Sequence, residues 1–545
     1  MKHIIFLISL LLFATNSIGQ NLDFSHQDTL RGSITKERIW WDLLHYSLNV
    51  KVDDENKYIS GSNTVKYKVL ESYSILQIDL QDPLKITKVT QNDKELEYRK
   101  EGFAFFIRLK EEQIIGEINE ITIYYEGNPV ESLRPPWSGG FTWKKDENKN
   151  SFIATSCQGI GASIWWPCKD HMYDEPDNGV SITVTVPKGL MDVSNGRLES
   201  IVENSDGTKT YHWVVLNPIN NYGVNINIGD YVHFSEIYMG LNGVLDCDYY
   251  VLSYNLEKAK KQFKQVSKML KAFEYWFGPY PFYEDGFKLV QAPYLGMEHQ
   301  SSITYGNGFK NGYLGRDLSK TGWGLKFDFS IIHESGHEWF ANNITYKDMA
   351  DMWIHESFTA YSETLYVDYY FGTEAGNEYV LGTRKLIKND KPIIGIYHVN
   401  KSGSGDMYYK GANMIHTLRN MINDDNKFRE ILVGLNKQFY HQTVTTKQIE
   451  DYISQKSGFD LRAFFNQYLR DTRIPELEYK ITDNSIKYKF NHIVEGFEIP
   501  VKAMLNGKEK WLYPNGDWKE IKISSPNPTF EIDPNFYIVI SNKTK

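Results

Sequence analysis

The stretch Ile331-Ile332-His333-Glu334-Ser335-Gly336-His337-Glu338-Trp339 sets two imidazoles four positions apart, with a carboxylate directly after the first. On a helix, residues i and i+4 share a face, so His333 and His337 can point at one ion. Zinc accepts imidazole nitrogen, and a catalytic zinc keeps three protein ligands and one position for water. Glu334 lies beside the metal face, placed to take a proton from that water. With 14 His in 545 residues, this pattern arises by chance about 0.02 times in such a chain, which outweighs a surface helix bearing two satisfied histidines. Eighteen residues separate His337 from Glu356, which stands in Trp353-Ile354-His355-Glu356-Ser357-Phe358. That text looks helical, so a second helix would deliver a carboxylate as third ligand. Two His and one Glu form a catalytic zinc set with an open position, and the implied chemistry is hydrolysis. His355 could compete for the ion, but helical neighbours lie about 100° apart, so it reads as a structural group behind the ligand.

A chain of 545 residues exceeds one hydrophobic core, since single cores stop growing near about 250–300 residues. Hydrophobic residues are 41% and charged residues 24%, a mixture that excludes a disordered chain, a collagen-like fibre or a disulfide-dense miniprotein. The net charge of -9 carries no basic footprint, so nucleic acid is set aside as a partner.

Period-two alternation runs from about residue 38 to 240, as in Tyr46, Leu48, Val50 and Val52, in Ile121, Ile123 and Tyr125, and in Ile182, Val184 and Val186. This predicts a half-exposed antiparallel sheet domain. From Asn255 the period changes. Leu256, Ala259, Phe263, Val266, Leu270, Phe273 and Phe277 form one face of a long helix, with Asn255 as its cap and Gly278-Pro279 as its end. A short strand is expected at Lys288 to Gln291, then helices from about Phe327 to Leu469, and alternation again after Ile474-Pro475. The expected architecture is a multidomain α+β chain. Residues 20–245 form the N-terminal β domain, 246–472 a mainly helical catalytic domain, and 473–545 a small C-terminal β-sandwich.

The opening MKHIIFLISLLLFATNSIGQ has Lys2, an apolar run from Ile4 to Ala14, and small residues ending at Gly19. This is the pattern of a signal peptide over residues 1–19, and it predicts an exported protein, periplasmic or extracellular. The apolar run is too short for a membrane span, which needs about 20 residues. No later segment is long enough either. Cys157, Cys168 and Cys247 could supply one disulfide and one thiol in an exported chain.

These motifs resemble the gluzincin aminopeptidases, the family of aminopeptidase N and the leukotriene-type epoxide hydrolase. The family carries His-Glu-x-x-His, eighteen residues, then Glu, as this chain does at His333, His337 and Glu356. The resemblance runs through nearly the whole chain in domain order. It implies a saddle-shaped β domain, a thermolysin-like catalytic domain and one Zn2+, with peptides bearing a free N-terminus as substrates. The family's Gly-x-Met-Glu-Asn stands here as Leu295-Gly296-Met297-Glu298-His299. It implies that Gly296 and Met297 line the substrate site and that Glu298 binds the α-ammonium, which would measure one residue from the chain end. Gln158, in Ser156-Cys157-Gln158-Gly159, is by position the family's second amine-binding group. Tyr408, in Tyr408-Tyr409-Lys410-Gly411, matches the tyrosine that donates a hydrogen bond to the tetrahedral intermediate. A mobile loop, Ser402-Gly403-Ser404-Gly405, is expected before it.

The chain departs from the family at His299 and at His355 and Ser357, where the family has Asn-Glu-Gly around the third ligand. Glu363, on the face of Glu356, could brace a ligating imidazole. The chain stops at Lys545 without the family's large helical domain, which implies an open groove and longer acceptable peptides. Three other readings compete. A zinc endopeptidase shares the metal chemistry without the amine clamp, an epoxide hydrolase would need a lipid pocket, and an inactive peptide-binding protein would need none of the catalytic groups.

Overall fold

The computed structural model describes residues 24–523 and 528–544; the signal-peptide reading of residues 1–19 lies outside them. The N-terminal region is built on an eight-stranded sheet. Its central strand, Trp41–Asp53, pairs antiparallel with Tyr58–Val69 and parallel with Val180–Val186, setting Leu48 opposite Asn63 and Ile182. Tyr46, Leu48, Val50 and Val52 face the core, as do Ile121, Ile123 and Tyr125 and Ile182, Val184 and Val186, so period-two alternation set the buried face. Each such buried apolar side chain contributes about 1.5–3 kcal/mol. The expected all-antiparallel sheet is corrected at one pairing. The Trp41–Asp53 and Val180–Val186 strands are far apart in sequence, and the long intervening chain provides the crossover that a parallel pair needs.

A five-stranded sheet follows, ordered Tyr231–Gly240, Gly243–Leu252, Phe287–Gln291, Ile303–Tyr305 and Gly296–Met297. Residue 245 therefore falls inside a strand, because the Tyr231–Leu252 hairpin extends the sheet that carries the Gly296–Met297 segment.

The long helix expected from Asn255 is two helices, Leu256–Gln262 and Gln265–Phe277. The apolar stripe runs unbroken across the joint, with Ala259, Phe263, Val266, Leu270, Phe273 and Phe277 all buried. Side-chain periodicity reports the shared face and is blind to one slipped turn of backbone. Asn255 makes no capping bond, since it ends a 3-10 turn with helical dihedrals of its own. Gly278 stops the second helix at φ +92, a conformation that favours glycine.

The C-terminal region forms one sheet of four strands and one of three. Leu477, Phe490, Phe497 and Val501 join the same core as the catalytic helices. All three cysteines are buried free thiols, Cys157 and Cys168 in the core of the N-terminal region and Cys247 in the other core, which corrects the expectation of one disulfide. Among the described residues no helix is long and apolar enough to cross a membrane.

Candidate metal centre

His333 and Glu334 lie in the helix Phe329–Gly336, which Asp328 caps by accepting from Ser330 N and Ile331 N. His337 caps it with dihedrals still helical, φ -66 and ψ -18. Beyond it the backbone turns sharply at Phe340 and Ala341. The second helix, Trp353–Phe371, brings Glu356 against the first. Close approach needs Gly336, because a Cβ there would lie 2.7 Å from Ser362 Oγ.

Ligand-type atoms of His333, His337 and Glu356 lie within 4.8 Å of one another. Glu356 Oε2 is 3.5 Å from His337 Nε2 and 3.9 Å from His333 Nε2. Both imidazoles are oriented from behind. His333 Nδ1 meets Glu363 Oε1 at 2.7 Å, and Glu363 Oε2 accepts from Tyr379 Oη at 2.5 Å. His337 Nδ1 donates to Phe340 O at 3.0 Å. The Nε2 lone pairs of both rings are thereby left for the space shared with Glu356. Glu356 Oε1 accepts from Gln158 Nε2 at 3.1 Å, whereas Oε2 is buried without a partner. An orphaned carboxylate oxygen facing two imidazole Nε2 atoms is the donor set of a tetrahedral N,N,O site.

The electrostatics fit a cation. Burial, together with the charges of Glu298, Glu356 and Glu363, pushes the Glu334 carboxyl well above the usual range. Burial also raises Glu356 and lowers His333 to about 4. His333 is therefore a neutral imidazole at pH 7, as a metal ligand must be, and a divalent ion would relieve the crowding of acidic groups.

The other expected residues surround this centre. A cavity of about 250 Å³ is shared by Gln158, Gly296, Met297, Glu298, Glu334 and Tyr408 with the three ligand candidates. Glu298, Glu334 and His337 have polar atoms within 4.8 Å of one another. Gly296 lets the Gly296–Met297 strand approach Glu334, since a Cβ there would lie 2.9 Å from Glu334 Oε1. Tyr408 is the residue on the cavity beside Glu356, its ring 6.1 Å from that of His333. The segment before it, expected to be mobile, is tied down by Ser404 N to Pro392 O at 2.9 Å and Ser404 Oγ to Asp390 Oδ1 at 2.5 Å. His355 does not line the cavity and is held by accepting from Tyr346 N at 3.0 Å. Ser357 Oγ donates to Met407 O at 2.7 Å, linking the ligand helix to the residue before Tyr408. His299 is fully buried with neither ring nitrogen partnered.

Sequence reasoning missed Tyr222, whose Oη donates to Glu298 Oε1 at 3.1 Å, as well as Tyr379 and the cavity residues Trp137 and Tyr313. Nothing in their spacing marked them out, since with 37 Tyr a lone tyrosine carries no signal.

Fold and site together fit a metallohydrolase, with His333, His337 and Glu356 as the candidate metal group and a β-rich domain before the helical one. The sequence matches the Peptidase family M1 domain over residues 254–468 and the Peptidase M1 N-terminal domain over residues 43–222. These stretches make up more than half of the chain, and it belongs to peptidase family M1, whose catalytic cofactor is a single zinc ion. Probable aminopeptidase 1 of Saccharolobus solfataricus is 20% identical over 71% of this chain and 51% of its own length. Endoplasmic reticulum aminopeptidase 1 of Homo sapiens is 21% identical over 70% of this chain and 44% of its own. The chain thus spans about half or less of these curated relatives. Among solved structures, an M1 zinc metallopeptidase of Deinococcus radiodurans with a Tyr-Ser-Ala substrate superposes with a TM-score of 0.68 at 20% identity. That superposition covers 81% of this chain and 96% of that one.

Proposed function

We propose that this protein is an exported zinc aminopeptidase that removes N-terminal residues from peptides. Zinc, held by His333, His337 and Glu356, supplies Lewis acidity toward water and the scissile carbonyl. Glu334 takes a proton from the attacking water and passes it to the leaving amine. Tyr408 donates a hydrogen bond to the oxygen of the tetrahedral adduct. Glu298 receives the substrate's α-ammonium. Gln158 assists it with Oε1, the atom left over once Nε2 donates to Glu356.

The observation that carries this reading is the buried Glu298 carboxylate in the same cavity as the metal group. A carboxylate so placed holds a cation one residue from the bond to be cut. It favours an aminopeptidase over an endopeptidase, and the intact Glu334 disfavours an inactive peptide-binding protein. We keep the three-part organisation, with a saddle-like β domain to about residue 245, a thermolysin-like unit to 472 and a small sandwich to 473–545. Export rests on the residue 1–19 pattern alone.

A panel of aminoacyl amides with and without an N-acetyl cap tests the reading. Capping is expected to abolish cleavage, and Glu298→Ala to raise KM for uncapped substrates at least about tenfold. Equal cleavage of capped and uncapped substrates would establish an endopeptidase instead.

Gly296→Ala probes the packing behind the general base. The added Cβ must displace the Glu334 carboxyl, and a misplacement near 1 Å costs about 10²-fold in rate. The variant is expected to lose about that much kcat and retain its zinc; unchanged kcat would mean that Glu334 adapts.

A further inference from the structure

The Glu298 carboxylate is held by a buried chain of hydrogen bonds that crosses the boundary between the two M1 regions. Tyr222 Oη donates to Glu298 Oε1 at 3.1 Å. The same hydroxyl lies 3.5 Å from His355 Nδ1. His355 Nε2 accepts from the backbone N–H of Tyr346 at 3.0 Å. A backbone N–H can only donate, so Nε2 is the unprotonated nitrogen and Nδ1 carries the ring proton. Nδ1–H therefore donates to the Tyr222 oxygen, and the Tyr222 proton is directed at Glu298. Every link points the same way, toward the carboxylate.

Each member is fixed by its own element. Tyr222 sits on the short turn Asn221–Gly223, which Asn220 caps through Gly223 N. Its carbonyl accepts from the thiol of Cys157, the residue before Gln158. His355 precedes the ligand Glu356 on the Trp353–Phe371 helix, and its ring centroid is 4.2 Å from that of Tyr346. The Glu298 backbone is held by Asn342 Nδ2 to Glu298 O at 2.9 Å. Tyr222, Glu298 and His355 are all buried. With Oε1 engaged by the phenol, Oε2 is the oxygen left for a ligand.

We infer that Tyr222 and His355 are positioning residues that aim the Glu298 carboxylate at the substrate's N-terminal ammonium, an inference that rests on the amine-binding role proposed for Glu298. Neither touches the substrate. Together they tie the amine subsite to the helix that carries the third metal ligand.

Tyr222→Phe removes the hydroxyl and keeps the ring. The expected result is a KM about tenfold higher for uncapped aminoacyl amides, with kcat within about twofold and zinc stoichiometry unchanged. In a Glu298→Ala background the same substitution is expected to change KM by less than about twofold, because the group it positions is gone. His355→Gln, which keeps an acceptor and a donor, is expected to stay near the parent, and His355→Leu to behave like Tyr222→Phe. If His355→Leu does not fold, Tyr222→Phe decides. An unaltered KM in Tyr222→Phe, or an effect that multiplies fully with Glu298→Ala, would overturn the inference. Failure of Glu298→Ala itself to raise KM would instead sink the amine-binding role, and the two failures are told apart by that single variant.

Discussion

Replacing Glu334 with Ala is expected to cut kcat by about 10²–10⁴-fold while the purified protein keeps one zinc ion. In barrier terms that is roughly 3–5 kcal/mol. The reason lies in the local geometry. Glu334 follows His333 in the helix that His337 caps but is not among the three groups, His333, His337 and Glu356, that converge on one point. Its carboxyl lines the cavity, and burial with neighbouring carboxylates raises its proton affinity. A base of this kind can hold a proton between water and the leaving amine. Steady-state kinetics beside elemental analysis checks the claim. A variant that turns over like the parent would remove Glu334 from the reaction, and one that loses zinc would make it a structural support of the site.

His337→Ala is expected to lose both the ion and all measurable turnover. Three protein ligands are the minimum of a catalytic zinc site, and this substitution leaves the buried His333 and Glu356 facing a gap. Glu298, Glu334 and Glu356 would then share the cavity without the cation that balances them. Binding to the folded state alone stabilises by about 2.7 kcal/mol at a hundredfold excess over Kd. The variant should therefore melt lower than the parent in added zinc and match the parent treated with chelator. Stoichiometric zinc in His337→Ala would show that the ion sits elsewhere.

Much of the fold was legible from side-chain patterns, and its failures share one cause. Alternation marked the buried faces of the Trp41–Asp53 and Val180–Val186 strands, because inward and outward positions depend only on parity. It could not tell that these two strands run parallel, since partner choice depends on distant chain. The apolar stripe from Ala259 to Phe277 identified a helical face, but the break between Gln262 and Gln265 left that stripe intact. The cysteines suggested pairing from compartment alone, yet all three are buried in the core as free thiols.

At the site, the sequence by itself determined which groups could converge on an ion. His333 and His337 are one helical turn apart, and that relation is local, so it survives whatever the rest of the chain does. Only the tertiary structure decided what stands behind each group. Gln158 donates to Glu356 across 198 positions, Tyr222 to Glu298 across 76, and Ser357 to Met407 across 50. These contacts join separate elements through the packing of whole sheets and helices. A hydroxyl or amide at a given position carries no mark of the partner that the fold will bring to it.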